Sequence, residues 1–185
     1  MRLILLFIVA IVTSINLHAY SYAAAGKEPT IDAKEAILKA VNSDDYKSAK
    51  EVFVKYEKNY KYLNDEFSPR LFEGLKGAIN NRNKTDIAKW LNISIASEIQ
   101  GRLDGGLKNI KQFNIAKVML AKANKFYKLL SVSLEKNIDE KLNKAIKKCV
   151  ESIGNPGLFG VGAKPINIDE YEKNQGIAIN ILKSL

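Results

Sequence analysis

Two charged residues lie beside the longest apolar row in the sequence, and their types and spacing could hold a polar ligand. Glu98 and Arg102 are four residues apart, so on a helix they face the same side on successive turns. A buried or half-buried pair of this kind could bind a small polar ligand or a cation. The alternative is an ion pair within one helix at the edge of the apolar row, and we favour that interpretation.

A loop rich in glycine and proline forms a second candidate site. Residues 154–165 read GNPGLFGVGAKP, with four glycines and two prolines. The loop does not match a phosphate-binding loop, because no Ser or Thr follows Lys164. We expect the apolar side chains of Leu158, Phe159 and Val161 to tuck under one end of the helices as a structural cap. The alternative is a binding lip, in which Phe159 and Lys164 would contact a ligand.

Glu151 is the third candidate, as a general acid. Glu151 and Ser152 are followed by Asn155 and Pro156, and this short segment resembles the catalytic Glu-Ser segment of lysozyme-like lytic transglycosylases. The resemblance implies cleavage of a glycosidic bond, for which a glutamic acid in an apolar setting is a suitable acid. The Gly-Leu-Met-Gln stretch that follows in that family is missing here.

The scarcity of histidine and cysteine excludes several kinds of active site. The only histidine, His18, lies in a predicted signal peptide. A processed chain would therefore have no Ser-His-Asp triad, no Cys-His pair and no histidine-bound zinc or haem. The single cysteine, Cys149, has no partner for an internal disulfide, and we expect it to be buried and inert. We predict a protein that is not an enzyme and has no cofactor.

The amino terminus has the pattern of an export signal. Arg2 is followed by an unbroken apolar run over residues 3–12, and three alanines at 23–25 offer a cleavage site. Cleavage after Ala25 would leave one domain, residues 26–185, in the periplasm or outside the cell. Cleavage after Ala23 and an uncleaved membrane anchor are the alternatives.

The charge of the chain restricts its partners. Lys and Arg total 29 against 20 Asp and Glu, a net charge of +9. The lysines are dispersed, which is typical of a solvated surface but also admits an anionic membrane as a partner. The basic amphipathic segment 115–136 could lie on such a membrane, although we expect it to be a bundle helix with a solvated face. Nucleic acid is not an expected partner, because arginine is scarce.

The elements that would position these residues are helices. Apolar residues recur every fourth position from Ile87 to Leu107 and predict a long helix over 85–113, capped by Thr85. A similar pattern predicts one helix over 46–62, and no segment has the alternation typical of a strand. The sequence therefore predicts an all-α fold, an antiparallel bundle of about six or seven helices.

One part of the chain resembles a known family. The segment 44–92 contains DYKSAK, then SPRLFEGL, then AINNRNKTDI, and it resembles the extracytoplasmic helical domain of some high-affinity iron permeases. The resemblance implies a periplasmic partner in metal uptake. It implies no ligand residues, because the Arg-Glu-Gly-x-Glu motif of those permeases is not matched at Glu73.

Four functions follow, in order of preference, and the last of them is a role at an anionic membrane surface. The first is an exported, non-enzymatic helical protein that binds a partner protein or a small ligand in the cell envelope. The second is a periplasmic accessory protein in iron or metal acquisition, with carboxylates and tyrosines as ligands. Asp65, Glu66, Asp104 and Glu151 could form its metal site if the fold brings them together. The third is a cell-wall glycosidase that uses Glu151.

Overall fold

Eight α-helices account for most of the chain that the computed structural model describes, residues 28–158 and 160–185. No β-strand occurs among these residues, which confirms the predicted all-α bundle. In chain order the helices are α1 (Pro29–Asn42), α2 (Tyr46–Lys55), α3 (Glu57–Glu66), α4 (Leu71–Asn80), α5 (Lys84–Lys108), α6 (Phe113–Ser131), α7 (Lys136–Ser152) and α8 (Ile168–Lys183).

The predicted signal peptide, residues 1–25, lies outside the described residues, and so does His18. Across the described ranges, no helix has both the length and the apolar character needed to cross a membrane.

Helix α5 is the longest helix and lies at the centre of the bundle, in contact with α1, α3, α4, α6 and α8. Its 25 residues extend over about 38 Å. The Asn83 side chain caps its first turn by accepting a hydrogen bond from the Asp86 N–H at 3.1 Å. Its fully buried apolar side chains follow the predicted row: Ile87, Leu91, Ile95, Ile99 and Leu103.

The apolar core consists of two clusters, and α5 contributes to both. Ile87 and Leu91 pack with side chains of α1 to α4 in one cluster, in which the rings of Phe53 and Tyr60 stack with centroids 5.5 Å apart. Further along α5, Leu103 belongs to the second cluster, formed with α6, α7 and α8. One continuous helix thus joins the two halves of the core.

The prediction of a helix over 85–113 was wrong at both ends. Asn83 rather than Thr85 is the N-cap residue, and Thr85 lies within the first turn. The helix ends at Lys108: Asn109 leaves the helical conformation, with φ −108° and ψ 20°, and its side chain donates a hydrogen bond to the carbonyl of Gly105 at 2.8 Å. Phe113 then begins α6 instead of ending α5.

The segment predicted as one helix over 46–62 is two helices that meet at Tyr56. The chain bends there, with φ −104° and ψ 17°, although neither proline nor glycine is present. The bend allows the face of α3 to turn inward, so that Tyr60 and Leu63 are fully buried. Tertiary packing therefore overrides a helical pattern that is continuous in the sequence.

Two glycines of α5 lie where neighbouring side chains approach the helix closely. A Cβ at Gly101 would meet the ring of Phe67, and a Cβ at Gly106 would meet the hydroxyl of Tyr171. That hydroxyl donates a hydrogen bond to the carbonyl of Leu103 at 2.8 Å. These glycines permit close packing, and the helix continues through them without a break.

Candidate functional site

Glu98 and Arg102 form the ion pair that their spacing predicts, but the pair lies inside the bundle. Arg102 Nη2 donates to Glu98 Oε2 at 3.0 Å, and only 13% and 11% of the two side chains are exposed. The other oxygen, Glu98 Oε1, accepts a hydrogen bond from the Thr30 hydroxyl at 2.6 Å. Thr30 in turn accepts one from the Asn59 side chain at 2.8 Å. The favoured interpretation, an ion pair within one helix beside the apolar row, is therefore present, and the pair is nearly buried.

A second carboxylate and a second cation complete this arrangement. Glu28, at the N-cap of α1, lies 3.6 Å from Arg102 Nη2 and 3.3 Å from Lys122 Nζ of α6. We call Glu28, Glu98, Arg102 and Lys122 the buried charge cluster. Its two negative and two positive charges balance, which is what burial requires, because an unpaired buried charge costs several kcal/mol.

The electrostatics of Glu98 favour a structural role. Burial raises the pKa of its carboxyl, while Arg102 and the hydrogen bond from Thr30 oppose that rise. Both carboxylate oxygens already have protein partners, so no ligand is needed to satisfy them. Arg102 Nε has no hydrogen-bond partner among the described residues. Ligand binding by Glu98 and Arg102 stays a prediction, and the geometry favours the ion pair.

The glycine-rich segment forms a projecting hairpin loop, which we define as residues 154–167. Leu158 and Val161 exchange two backbone hydrogen bonds, of 3.1 and 3.0 Å. Their side chains are 76% and 79% exposed, so the expectation that they tuck under the bundle was wrong. Lys164 lies on the same loop and is exposed, and Phe159 lies outside the described residues. The alternative, a binding lip in which Phe159 and Lys164 contact a ligand, stays a prediction.

Glu151 does not have the surroundings of a general acid. Its carboxylate is exposed at the end of α7 and accepts a hydrogen bond from Lys148 Nζ at 2.7 Å. This bond and the charge of Lys148 lower the pKa of Glu151. A glycosidase acid needs the opposite, a raised pKa that keeps the proton available at neutral pH.

The carboxylates proposed as metal ligands have separate partners. The Asp104 side chain accepts a hydrogen bond from Gln175 at 2.6 Å, and that of Asp65 accepts one from Asn64 at 2.9 Å. Over the described ranges, no three His, Cys, Asp or Glu side chains are grouped closely enough to hold a metal ion.

Cys149 is fully buried in the second core cluster, as its apolar neighbours predict. Burial raises the pKa of its thiol to about 12. The thiolate is therefore scarce at neutral pH, and the cysteine is expected to be chemically inert.

An open groove of about 570 Å³ runs between α2, α3 and α4. Phe53 and Phe72 lie in it with ring centroids 5.2 Å apart, and Val54 adds an apolar side chain that is 56% exposed. Lysines lie over the aromatic floor, with the Nζ atoms of Lys61 and Lys76 at 5.2 and 5.7 Å from the centroid of Phe72.

The rim of the groove carries more negative than positive charge. Lys61 pairs with Glu57 at 2.6 Å and Lys76 with Glu73 at 3.6 Å. A fifth charged residue, Asp65, has no basic side chain within 4 Å among those described. The rim therefore leaves one carboxylate that could accept a cation.

Sequence reasoning missed this groove, and it also missed Glu28 and Lys122. Phe72 fits the helical spacing of core residues, so its partial exposure to a groove could not be inferred from the pattern. The signal available in the sequence was the spacing of acidic and basic residues, with Glu57 four residues before Lys61 and Glu73 three residues before Lys76.

Comparisons with known proteins add nothing to these geometric observations. No family model matches the chain, and no curated protein or solved structure is detectably similar to it.

Proposed function

We propose that this is an exported, non-enzymatic helical protein that binds a partner protein or a small ligand in the cell envelope through the α2–α4 groove. The observation that carries the proposal is the open groove between three helices, in which the partly exposed Phe72 lies over the buried Phe53. Val54 and the exposed part of Phe72 offer an apolar surface that could be covered on binding, and burial of apolar and aromatic side chains is a large source of affinity.

The chemistry of the groove defines the class of group it would accept. An apolar group would pack against Val54 and the part of Phe72 that the lysines leave uncovered, and a cationic group beside it would face Asp65. The lysines at the rim are already paired with Glu57 and Glu73, so they can stay in place when a ligand binds. A partner side chain or a small molecule with an apolar body and a positive charge fits these conditions.

Substitution of Val54 tests the proposal. Val54→Arg would place a bulky cation over the apolar floor and is expected to weaken binding about tenfold, because loss of one apolar contact is worth about 1.4 kcal/mol. The protein is isolated from its own cell envelope, and native mass spectrometry measures the retained small ligand. A photo-crosslinking residue at position 54 captures a protein partner.

Val132 provides the control position. It is 87% exposed and follows α6, away from the groove, so Val132→Arg should leave ligand retention unchanged. The proposal fails if Val54→Arg retains the same ligand to the same extent as the parent protein. It also fails if crosslinks from positions 54 and 132 give the same products.

A further inference from the structure

The solvent-exposed side of helix α6 carries charge of one sign only. No acidic residue occurs from 105 to 134, whereas this part of the sequence contains six lysines. The exposed residues of α6 recur at intervals of three or four, which places them along one side of the helix. We define this outer face of α6 as Ile115, Lys117, Val118, Ala121, Lys125 and Lys128.

The lysines of the outer face have no acidic partners. Over the described ranges, no carboxylate lies within 4.0 Å of the side-chain nitrogen of Lys117, Lys125 or Lys128. Elsewhere a surface lysine pairs with a glutamate on its own helix, as Lys61 does with Glu57. On α6 no such glutamate is present, and Lys125 and Lys128 lie on adjacent turns, where like charges repel. An anionic partner would relieve that repulsion.

Acidic side chains near α6 have other positions or partners. Asp104 of α5 is hydrogen-bonded to α8, and Asp139 of α7 accepts a hydrogen bond from the Tyr127 hydroxyl. Glu28 lies in the buried charge cluster. Glu135, at the N-cap of α7, forms no ion pair with a lysine of the described residues. The positive charge of the outer face is therefore not neutralised by pairing within the bundle.

Two apolar side chains lie among these lysines. Ile115 and Val118 are 40% and 49% exposed, and Ala121 is exposed one turn further along the helix. Helix α6 packs on the core through its opposite side, where Ala123 and Phe126 are fully buried. The outer face thus combines apolar and basic side chains on a helix about 28 Å long.

We propose that the outer face of α6 is a membrane-contact surface, in which Lys117, Lys125 and Lys128 contact the headgroups of anionic lipids and Ile115 and Val118 enter the layer between them. Charge complementarity selects an anionic partner. The apolar side chains favour lipid over a soluble polyanion, since a lipid surface covers apolar groups as well as pairing with lysines. The outer face is separate from the groove of α2, α3 and α4, so the two surfaces can be tested independently.

The contact differs from that of an interfacial helix that inserts its whole apolar side into the membrane. The apolar side of α6 belongs to the second core cluster, and only its solvated face is free. The bundle can therefore stay folded while it binds. We expect the contact to be shallow, reversible and weakened by added salt.

Flotation with two kinds of vesicle tests the electrostatic part. One kind contains phosphatidylcholine and phosphatidylglycerol in equal amounts, and the other contains phosphatidylcholine alone. Lys125→Glu should reduce partitioning into the anionic vesicles about 25-fold, because it changes the charge by two units and each unit near an anionic surface is worth about fivefold. Lys50→Glu is the matched control. It makes the same change in net charge at an exposed lysine of α2, in the other half of the bundle, and should have little effect.

Two matched isoleucines test the apolar part. Ile115 on α6 and Ile177 on α8 are 40% and 43% exposed, so serine at either position removes a similar apolar side chain. Ile115→Ser should reduce partitioning about fivefold through the loss of one apolar contact with lipid, and Ile177→Ser should have little effect. Circular dichroism establishes that all variants are folded. Mass spectrometry establishes that they share one N-terminus, so that the apolar run at residues 3–12 cannot account for a difference.

The expected result is that the parent protein, Lys50→Glu and Ile177→Ser float with the anionic vesicles and not with the neutral ones. The proposal is overturned if the parent protein fails to float with anionic vesicles, or if Lys125→Glu floats as well as Lys50→Glu. Equal partitioning of Ile115→Ser and Ile177→Ser overturns the insertion of Ile115. Binding to soluble polyphosphate without binding to vesicles overturns the lipid surface as the partner and assigns the outer face to an anionic polymer.

Discussion

The pKa of the Glu98 carboxyl is shifted by burial and by its neighbours in opposite directions, so its titration should affect the free energy of unfolding. Burial raises its pKa above the ordinary value of 4.5, while Arg102 and Thr30 oppose the rise. Glu28 and Lys122 complete the charged surroundings. A folded-state pKa above the unfolded value means that the folded protein binds this proton more tightly. The contribution of Glu98 to the free energy of unfolding is thus greatest at low pH and declines as the pH rises from about 4.5 towards neutrality.

Glu98→Gln should remove this component of the pH dependence. Urea unfolding between about pH 4.5 and pH 7 would show a smaller decline of stability with rising pH in the variant than in the parent protein. The cost at neutral pH should be about 1–3 kcal/mol, because glutamine has one oxygen in place of two and can accept the hydrogen bond of Thr30 or that of Arg102, while its NH2 group faces the other donor. Arg102→Met should cost more, about 3–5 kcal/mol, because it leaves two buried carboxylates with only Lys122. Parallel pH profiles for the parent protein and Glu98→Gln would refute this account.

At the scale of helices, the contact between α5 and α8 depends on the absence of a side chain at Gly106. The Tyr171 ring is fully buried, and its hydroxyl lies where a Cβ of residue 106 would be. Gly106→Ala should destabilise the protein by about 1–3 kcal/mol through overpacking, even though alanine favours a helix. Tyr171→Phe should rescue part of that loss, because it removes the colliding oxygen. Thermal unfolding of the two single variants and the double variant measures this coupling.

Gly176 on α8 gives the matched control. A Cβ there would meet no atom within 4 Å, so Gly176→Ala should stabilise the protein by up to about 1 kcal/mol. A gain in stability for Gly106→Ala as large as that for Gly176→Ala would show that α5 and α8 have room between them.

The same scale shows what a sequence can predict and where it stops. The helical period identified the core face of α5, because Ile87 to Leu103 are buried as their spacing requires. Helix ends were less predictable, since side chains that could cap a helix have other partners. The Ser68 hydroxyl, for example, could cap a helix, but it forms a hydrogen bond with Ser97 at 2.8 Å, and the next helix, α4, starts at Leu71.

The prediction of candidate sites depends, even more than that of helix ends, on packing between segments that are distant in the chain. The spacing of Glu98 and Arg102 predicted their ion pair, but Glu28 lies 70 residues before Glu98 in the chain and no local pattern joins them. The apolar composition of the hairpin loop suggested burial. Whether a neighbouring surface exists to cover Leu158 and Val161 is a property of the folded molecule. Pattern therefore predicts elements well, and sites only when the residues share an element.

At the scale of the whole molecule, α5 should make the two core clusters unfold together. The helix runs through both clusters, and the buried charge cluster further links α1, α5 and α6. Two probes already present in the chain distinguish the halves. Trp90 packs against the first cluster, and Cys149 is fully buried in the second.

Leu103→Ala should therefore shift both probes although it lies in the second cluster. Truncation of this fully buried leucine is expected to cost about 2–5 kcal/mol. Urea titration would follow Trp90 fluorescence and the reactivity of Cys149 with a thiol reagent, and the two midpoints should fall together. Val132→Ala, at an exposed site, should move neither midpoint. If α5 is cooperative, it transmits the loss of packing in one cluster to the other, and both midpoints fall. If Leu103→Ala lowered only the Cys149 midpoint, the two clusters would be independent folding units.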